Sequence, residues 1–191
     1  PDGVVDLPNI PDVMVYQPEA ELAFVMGKSA SSVPPDRAID YLFGYVPFID
    51  ISCRGLTRRT QLIPKAQSTF SVCGPWLTTK DEVPDPHNIQ VKSWVNGQAR
   101  QDYSTKYMAH KIPRQIEWRS KFILLRPGDI VATGTYHVGL GPINDGDVLE
   151  IEIERLGRAR FNITGQGPRK DIDFRPGVTQ APKPPGGMTR V

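Results

Sequence analysis

Hydrophobic and polar residues alternate along several short stretches of the chain. Between residues 13 and 27, every second side chain falls on one apolar face, which carries Leu22, Phe24 and Met26. The opposite face carries the acids Glu19 and Glu21. This period of two predicts a β-strand that ends at Gly27.

Five further segments have the alternation or the β-branched and aromatic residues of strands; they span residues 45–52, 89–95, 98–102, 130–132 and 149–155. Asn96-Gly97 joins two of them, which predicts a hairpin with a type I′ turn. In the last segment, Ile151 and Ile153 share a face that we expect to be buried. Its opposite, wet face carries Glu150, Glu152 and Glu154, and we assign these acids no catalytic or metal-binding role.

Two short helices are predicted. The first follows Ser32, with Pro and Asp in its first turn, and runs through residues 38–43 to a stop at Gly44. The second begins at Pro113, and the residues on its inner face are Ile116, Ser120 and Ile123.

Many strands, few helices and no regular exchange of strand and helix indicate an α+β fold. The expected architecture is a strand-rich mixed β roll with few short helices, and not a doubly wound parallel sheet. We expect one catalytic domain over residues 1–164. Residues 165–191 are rich in Gly and Pro and are expected to form a C-terminal arm, extended or poorly ordered.

Composition narrows the class of function. The chain has 191 residues, 39% of them hydrophobic, which suffices for one domain with a core and excludes disorder for most of its length. Its 23 basic and 21 acidic residues are interspersed, so no patch for nucleic acid or an anionic membrane is expected. The two cysteines, Cys53 and Cys73, lack CxxC spacing, which favours the reducing cytoplasm. Chemistry on a small molecule is the class of function that remains.

Three carboxylates stand beside apolar strand segments. Glu19 and Glu21 lie on one strand face about 7 Å apart, where they can converge on one hard cation. Such a pair alone is more often a solvated strand face. Asp50, however, lies within a second apolar run, where an isolated carboxylate would be costly. Lys65 and one divalent cation would balance the three charges, although a lone lysine is ordinarily a surface residue.

The Gly-rich loop 133–141 is a second candidate. It matches neither a Walker motif nor a dinucleotide fingerprint, but its N–H groups and the hydroxyls of Thr133 and Thr135 suit an anionic oxygen. A tight turn without a ligand is the alternative. His137 lies inside this loop and is a candidate acid/base residue. No zinc spacing and no nucleophile elbow occur in the sequence.

The order of motifs resembles the fumarylacetoacetate hydrolase family from about residue 7 to residue 163. The motifs that carry the resemblance are, in chain order, Glu19-Ala20-Glu21, Gly44-Tyr45, Asp50-Ile51-Ser52-Cys53-Arg54, Lys65, Gly74-Pro75-Trp76, Val95-Asn96-Gly97 with Gln101 and Thr105, and Pro127-Gly128-Asp129-Ile130-Val131-Ala132-Thr133-Gly134-Thr135. An ordered series of this kind is far more specific than any one of its members.

The resemblance implies a set of roles. It implies that Glu19, Glu21 and Asp50 bind Mg²⁺ or Mn²⁺, with Ca²⁺ as an alternative, and that Lys65 lies beside the metal. Substrate contacts are implied for Arg54 and Thr135; we also expect Gly134 to contact the substrate through its loop N–H and Tyr136 to form part of the substrate wall. The family fold is a mixed β roll of stacked sheets, commonly a homodimer, and its members act on 1,3-dicarbonyl acids such as acylpyruvates.

Three departures from the family pattern concern the substrate and the acid/base group. Gly55 and Thr57 stand where the family usually has Asp and Gln, and Tyr136 replaces the Pro of Thr-Gly-Thr-Pro. Many members also carry a His and Glu acid/base pair upstream of the ExE strand, which the numbered chain does not include. We therefore expect either a longer protein or a different base, for which His137 is the candidate.

These observations predict a divalent-metal-dependent hydrolase that cleaves a carbon–carbon bond in a β-diketo acid. The same chemistry serves decarboxylation or isomerisation of 2-oxo diacids, so the fold does not choose among them. A non-catalytic protein that binds a metal and a carboxylate is the alternative from another class. The expected partners are a small-molecule 2-oxo acid and a second copy of the chain, in the cytoplasm.

Overall fold

A computed structural model describes residues 2–56 and 62–167. Ten strands appear in this part of the chain: β1 (Asp2–Leu7), β2 (Val15–Met26), β3 (Leu42–Arg54), β4 (Ser71–Cys73), β5 (Thr78–Thr79), β6 (Gln90–Val95), β7 (Gln98–Ser104), β8 (Ile130–Ala132), β9 (Val148–Ile153) and β10 (Gly157–Gly165). The α-helices are α1 (Leu62–Lys65) and α2 (Ile112–Ser120), and three short 3₁₀ helices span Pro35–Tyr41, Lys80–Glu82 and Thr105–Tyr107.

The strands form two five-stranded sheets. The first sheet has the order β1-β10-β9-β6-β7, and the second has the order β4-β3-β2-β8, with β5 added along β3. Neighbouring strands are antiparallel except for β1 and β10, which pair in parallel. The two sheets pack on each other through β2 against β6 and β3 against β9. This arrangement confirms the predicted mixed, strand-rich α+β fold.

One large hydrophobic core fills the space between the sheets. The second sheet contributes Leu22, Phe24 and Met26 from β2, and the first contributes Ile151 and Ile153 from β9. The opposite face of β2 is also buried, because Ala23 and Val25 pack in a small separate cluster. A strand that is buried on both faces can therefore hold carboxylates away from water.

The sequence pattern located most of the longer strands correctly. The predicted type I′ turn is present, since Asn96 and Gly97 both have positive φ, 52° and 76°. The wet face of β9 is also present, because Glu150 and Glu152 alternate with buried isoleucines.

The first predicted helix was wrong at its end. Gly44 does not stop a helix: the 3₁₀ helix ends at Tyr41, and β3 already begins at Leu42. A Cβ on Gly44 would lie 2.0 Å from the carbonyl oxygen of Thr78, so glycine is needed there for the close approach of β5. In α2, Ile116 is buried as predicted, whereas Ile123 lies beyond the helix and is exposed.

Four of the described strands were missed, namely β1, β4, β5 and β10. β4 and β5 have only three and two residues, too few to show an alternation. β1 and β10 pair over six positions although about 160 residues separate the paired positions, so neither carried a local turn signal. The proposed C-terminal arm lies outside the described residues from position 168 onward, and Thr57 lies outside them as well. No helix in the described ranges is long and apolar enough to cross a membrane.

Candidate metal centre and cleft

Strand pairing brings the three predicted carboxylates together. Glu19 on β2 is directly opposite Asp50 on β3, and Glu21 follows two residues later on the same face. One carboxylate oxygen from each residue lies within 4.8 Å of the other two. Glu19 and Glu21 are only 6% and 3% exposed. The described residues contain no other such group of possible metal ligands.

Two cations and a hydroxyl surround Glu19. The ammonium of Lys65, at the end of α1, donates to Glu19 at 2.8 Å and to Asp50 at 2.5 Å. Arg54 donates to the other Glu19 oxygen at 2.6 Å, and Ser52 donates to it at 2.9 Å. Lys65 therefore lies beside two of the three carboxylates, and the buried charge of Glu19 is compensated.

The pKa values of the two glutamates move in opposite directions. Burial alone would raise the pKa of Glu19, but the hydrogen bond and charge of Lys65, together with Arg54, hold this pKa below its usual range. Burial, with smaller contributions from the charges of Asp50 and Glu19, raises the pKa of Glu21 to about 7 against the opposing bond from the Gly134 N–H. Burial also raises the pKa of Asp50 despite Lys65.

The Gly-rich loop is fastened to β2 by its own hydrogen-bond donors. Thr133 donates its hydroxyl to the carbonyl of Leu22 at 2.7 Å, and the Gly134 N–H donates to Glu21 at 2.6 Å. Thr135 donates its hydroxyl to the carbonyl of Ala20 at 2.7 Å. These donors were expected to face an anionic ligand; in the structure they fix the loop and orient Glu21.

Gln101 and Tyr103 on β7 complete this support. Buried Gln101 accepts from the N–H of Ala20 at 3.1 Å and donates to Thr135 at 2.9 Å and to the carbonyl of Tyr136 at 2.6 Å. Tyr103 donates to the carbonyl of Ala20 at 2.6 Å. The sequence reasoning assigned no role to Tyr103 and used Gln101 only as part of the motif series, because both act across strands that are distant in sequence.

An open cleft of about 720 Å³ adjoins the carboxylates. His137 and Thr135 line it on the loop side, and Arg119 lines it from α2. The apolar wall consists of Ile123, Leu125, Ile130 and Val131. Sequence reasoning missed Arg119, since a single arginine in an amphipathic helix gives no signal of its own.

Two of the predicted substrate residues lie elsewhere. Arg54 is bonded to Glu19 and to Gln17 and does not belong to the described lining of the cleft. The ring of Tyr136 packs against Tyr103 with centroids 5.9 Å apart, in a neighbouring pocket. Gly55 has a φ of 106°, and a Cβ there would lie 2.3 Å from the carbonyl of Asp12, so the backbone explains this departure from the family pattern.

The donor set suits a hard divalent cation. All the candidate ligand atoms are carboxylate oxygens, which Mg²⁺, Mn²⁺ and Ca²⁺ prefer, and sulfur and imidazole are absent from the described group. Among the described residues, two cations are ion-paired with Glu19 and Asp50 and none is ion-paired with Glu21, whose pKa is raised first by burial and then by the charges of Asp50 and Glu19. The residues present therefore fit such an ion.

A strand-rich roll that holds three clustered carboxylates beside an open cleft is an architecture suited to a metal-binding protein. The family model described as fumarylacetoacetate (FAA) hydrolase, C-terminal, matches residues 1–164. The chain therefore belongs to the fumarylacetoacetate hydrolase family.

Three relatives illustrate the similarity. Maleylpyruvate hydrolase of Aquipseudomonas alcaligenes is 39% identical over 145 residues, which is 76% of this chain and 50% of the relative. The crystal structure of maleylpyruvate hydrolase from Sphingobium sp. SYK-6 with manganese(II) and pyruvate has a TM-score of 0.80 at 38% identity, covering 88% of this chain and 61% of that one. The bifunctional isomerase/decarboxylase of 4-hydroxyphenylacetate degradation from Salmonella dublin is 38% identical over 154 residues, 79% of this chain and 35% of the relative.

The chain spans about half the length of the first of these relatives and about three fifths of the Sphingobium chain. The similarity therefore concerns the domain that holds the carboxylates and the cleft.

Proposed function

We propose that this chain is the catalytic domain of a divalent-metal-dependent hydrolase that cleaves a carbon–carbon bond in an acylpyruvate or a similar β-diketo acid. The observation that carries the proposal is the convergence of Glu19, Glu21 and Asp50 beside Lys65 at an open cleft. The similarity to maleylpyruvate hydrolases supports the same substrate class.

Glu19, Glu21 and Asp50 would hold Mg²⁺ or Mn²⁺, with Ca²⁺ as an alternative. When bound, such an ion supplies Lewis-acid polarisation of a substrate oxygen. We expect Glu21→Ala to lose most Mn²⁺ affinity in titration calorimetry, because it removes one of three ligands. Glu152→Ala, on the wet face of β9, is the matched control and should bind Mn²⁺ normally. Undiminished binding in Glu21→Ala would place the metal elsewhere.

The protein's own groups would stabilise the departing half of the substrate. The oxygen of a water molecule would bond to the acyl carbon, and the carbon–carbon bond would then break. The electron pair of that bond would leave with the 2-oxo acid as an enolate, which would then be protonated. The Lys65 ammonium would hold fixed positive charge near that enolate. Gly134 and Thr135 would act by orienting Glu21 and the cleft wall, and substrate contacts by Arg54, Gly134, Thr135 and Tyr136 stay predictions.

A hydrolysis also needs a general base within reach of the water. His137 lines the cleft, while the resemblance points to a His and Glu pair upstream of β2. We favour the upstream pair, because a loop histidine more often contacts substrate or supports structure. In protein that carries such a pair, His137→Ala should lower kcat less than about tenfold, since losing a general base costs about 100-fold or more. A 100-fold loss, with a changed pH profile, would make His137 the base.

Rates of turnover on different substrates distinguish hydrolysis from decarboxylation or isomerisation. In protein that carries the upstream pair, with Mn²⁺ or Mg²⁺ present, we expect release of pyruvate from acylpyruvates at a rate well above that of oxaloacetate decarboxylation. The bifunctional Salmonella relative keeps decarboxylation or isomerisation of a 2-oxo diacid as a second candidate. Faster loss of CO₂ from oxaloacetate than cleavage of any acylpyruvate would favour that candidate. Metal and ligand binding without turnover of either would favour the non-catalytic alternative.

We further propose a homodimer. The rings of Trp118 and Phe122 pack at 4.9 Å between centroids, yet both side chains are more than half exposed, and exposed Ile123 and Leu124 follow them. Light scattering should give twice the mass of one chain, and the double variant Trp118→Ser, Phe122→Ser should give monomers. Val4→Ser, an exposed position on the first sheet, should leave the dimer intact.

A cytoplasmic location completes the proposal. Cys53 is buried and Cys73 is exposed, and both are free thiols, as a reducing compartment would maintain them. Cell fractionation should recover the protein with cytosolic markers, and recovery outside the cell would contradict this.

A further inference from the structure

Arg119 is a cation at the cleft that has no acidic partner in the part of the chain that the structure describes. The described residues contain no carboxylate within 4.0 Å of its guanidinium, whereas Arg114 on the same helix is bonded to Glu117. Arg119 is partly buried, and burial lowers its pKa against the attraction of Glu21. A guanidinium that is partly withdrawn from water and lacks an acidic partner is suited to binding an anion.

The guanidinium is held in place by a buried amide. Arg119 donates to the side-chain oxygen of Gln115 at 2.9 Å. Gln115 in turn donates to the carbonyl of His110 at 2.8 Å and to the carbonyl of Thr133 at 3.5 Å. Because these partners are backbone groups, the orientation of Gln115 is fixed. Arg119 therefore needs little ordering when a ligand arrives.

The same contacts connect Arg119 to the carboxylate centre. Thr133 precedes Gly134, whose N–H donates to Glu21. Arg119 lines the cleft together with Glu21, and it also lines a second pocket of about 450 Å³ that continues past Thr133. A substrate with one end at Glu19, Glu21 and Asp50 would extend its other end along the apolar wall toward Arg119.

We propose that Arg119 binds a second carboxylate of the substrate, at the end remote from the 2-oxo acid group. Arg119 would thereby favour acylpyruvates that carry a second carboxylate, as maleylpyruvate does, over acylpyruvates that end in an alkyl group. This inference rests on the proposed function for the orientation of the substrate. Arg119 is in this reading a specificity-determining residue, while Lys65 serves the reacting end.

Binding of two matched ligands tests the inference without turnover. 2-Oxoheptanedioate and 2-oxoheptanoate have the same length and differ only in the terminal carboxylate, and neither has the 1,3-diketone that would be cleaved. In calorimetry with Mn²⁺ present, the unmodified protein should bind the diacid about 10- to 100-fold more tightly, the range of one charge-assisted hydrogen-bonded pair. Absence of that preference would overturn the inference.

Variants then assign the preference to one side chain. Arg119→Met should lose it while binding 2-oxoheptanoate as before, and Arg119→Lys should retain part of it. Arg114→Met is the control, because Arg114 lines the adjoining pocket but is paired with Glu117. A merely structural role of Arg119 would weaken both ligands alike, and that result, or an unchanged preference in Arg119→Met, would refute the proposal.

Turnover separates this inference from the proposed function. 2,4-Dioxoheptanedioate should be cleaved with a higher kcat/KM than 2,4-dioxoheptanoate, and Arg119→Met should lower only the former, by about 10- to 100-fold. If protein that carries the upstream pair cleaves neither while the diacid preference persists in binding, the hydrolase proposal fails and the carboxylate site stands. If both are cleaved equally well, the carboxylate site fails and the hydrolase proposal stands.

Discussion

At the scale of single residues, two glutamates on one strand face acquire different acidities from their neighbours. Glu19 accepts hydrogen bonds from Lys65, Arg54 and Ser52, so its ionised form is stabilised. Glu21 accepts one bond from the Gly134 N–H and faces the charges of Asp50 and Glu19. The two side chains are identical but differ in acidity, because cations compensate the charge of Glu19 whereas the charge of Glu21 would need a metal ion.

This difference predicts how metal-free stability depends on pH. The pKa of Glu21 is about 7 in the folded protein against 4.5 as reference, so the folded state holds the proton more tightly. Its contribution to the free energy of unfolding is therefore greatest below pH 4.5 and is lost as pH rises through 7, by about 3 kcal/mol. With EDTA at pH 8, Glu21→Gln should be more stable than the unmodified protein by a similar amount.

Urea unfolding at several pH values measures this difference. The gap between Glu21→Gln and the unmodified protein should shrink below pH 5, because both side chains are then neutral. Glu152→Gln on the wet face of β9 should show no comparable gap. A gap that does not change with pH would mean that Glu21 titrates normally.

Lys65 offers a second test at this scale. Lys65→Met should keep the fold and Mn²⁺ binding, since the lysine is not a ligand, but should lower kcat on an acylpyruvate by about 100-fold or more, as loss of a fixed charge at a developing anion does. Stopped assays of pyruvate release measure the change. Lys92→Met, at an exposed pair with Asp102, is the control. An unchanged kcat would remove Lys65 from the chemistry.

At the scale of elements, β2 combines the core and the site on its two faces. Its alternation was readable from the sequence because the pattern is local: Leu22, Phe24 and Met26 share one face, and Glu19 and Glu21 share the other. The same holds for the Asn96-Gly97 turn, in which two adjacent residues determine the backbone. Local chemistry was therefore sufficient to predict the hairpin and the acidic face.

Contacts between distant parts of the chain could not be predicted in this way. Gln101 contacts Ala20 at a sequence separation of 81 positions, and β1 pairs with β10 at the opposite end of the described chain. Gly44 was taken as a helix stop because glycine ends helices more often than it admits a neighbouring strand. The position of Arg119 likewise depends on how α2 packs, which its sequence alone does not determine.

The connection between β7 and the Gly-rich loop can be tested through Gln101. Gln101→Ala would leave the buried N–H of Ala20 and the carbonyl of Tyr136 without their partner. We expect a loss of about 2–4 kcal/mol in the free energy of unfolding, from two unsatisfied groups. Urea denaturation measures it, with Gln98→Ala, an exposed glutamine of the same strand, as control. A loss below 1 kcal/mol would show that the bonds of Thr133, Gly134 and Thr135 to β2 hold the loop without Gln101.

At the scale of the whole molecule, the candidate ligands come from the two longest strands. β2 and β3 pair along twelve residues of β2, and both pack against the first sheet in the same core. An ion bound by Glu19, Glu21 and Asp50 would hold these strands together in the folded state, and unfolding would separate its ligands. Metal binding and global stability are therefore coupled.

The coupling predicts a metal-dependent melting temperature. At Mn²⁺ concentrations about 100-fold above Kd, binding to the folded state adds about 2.7 kcal/mol, which raises Tm by about 5–10 °C for a chain of this size. Scanning calorimetry with and without EDTA measures the shift. Glu21→Gln should start from a higher Tm in EDTA at pH 8 yet gain little from Mn²⁺, because it has lost the destabilising charge and the ligand together. Glu152→Gln should behave as the unmodified protein, and an equal Mn²⁺ shift in Glu21→Gln would show that the ion binds outside the carboxylate group.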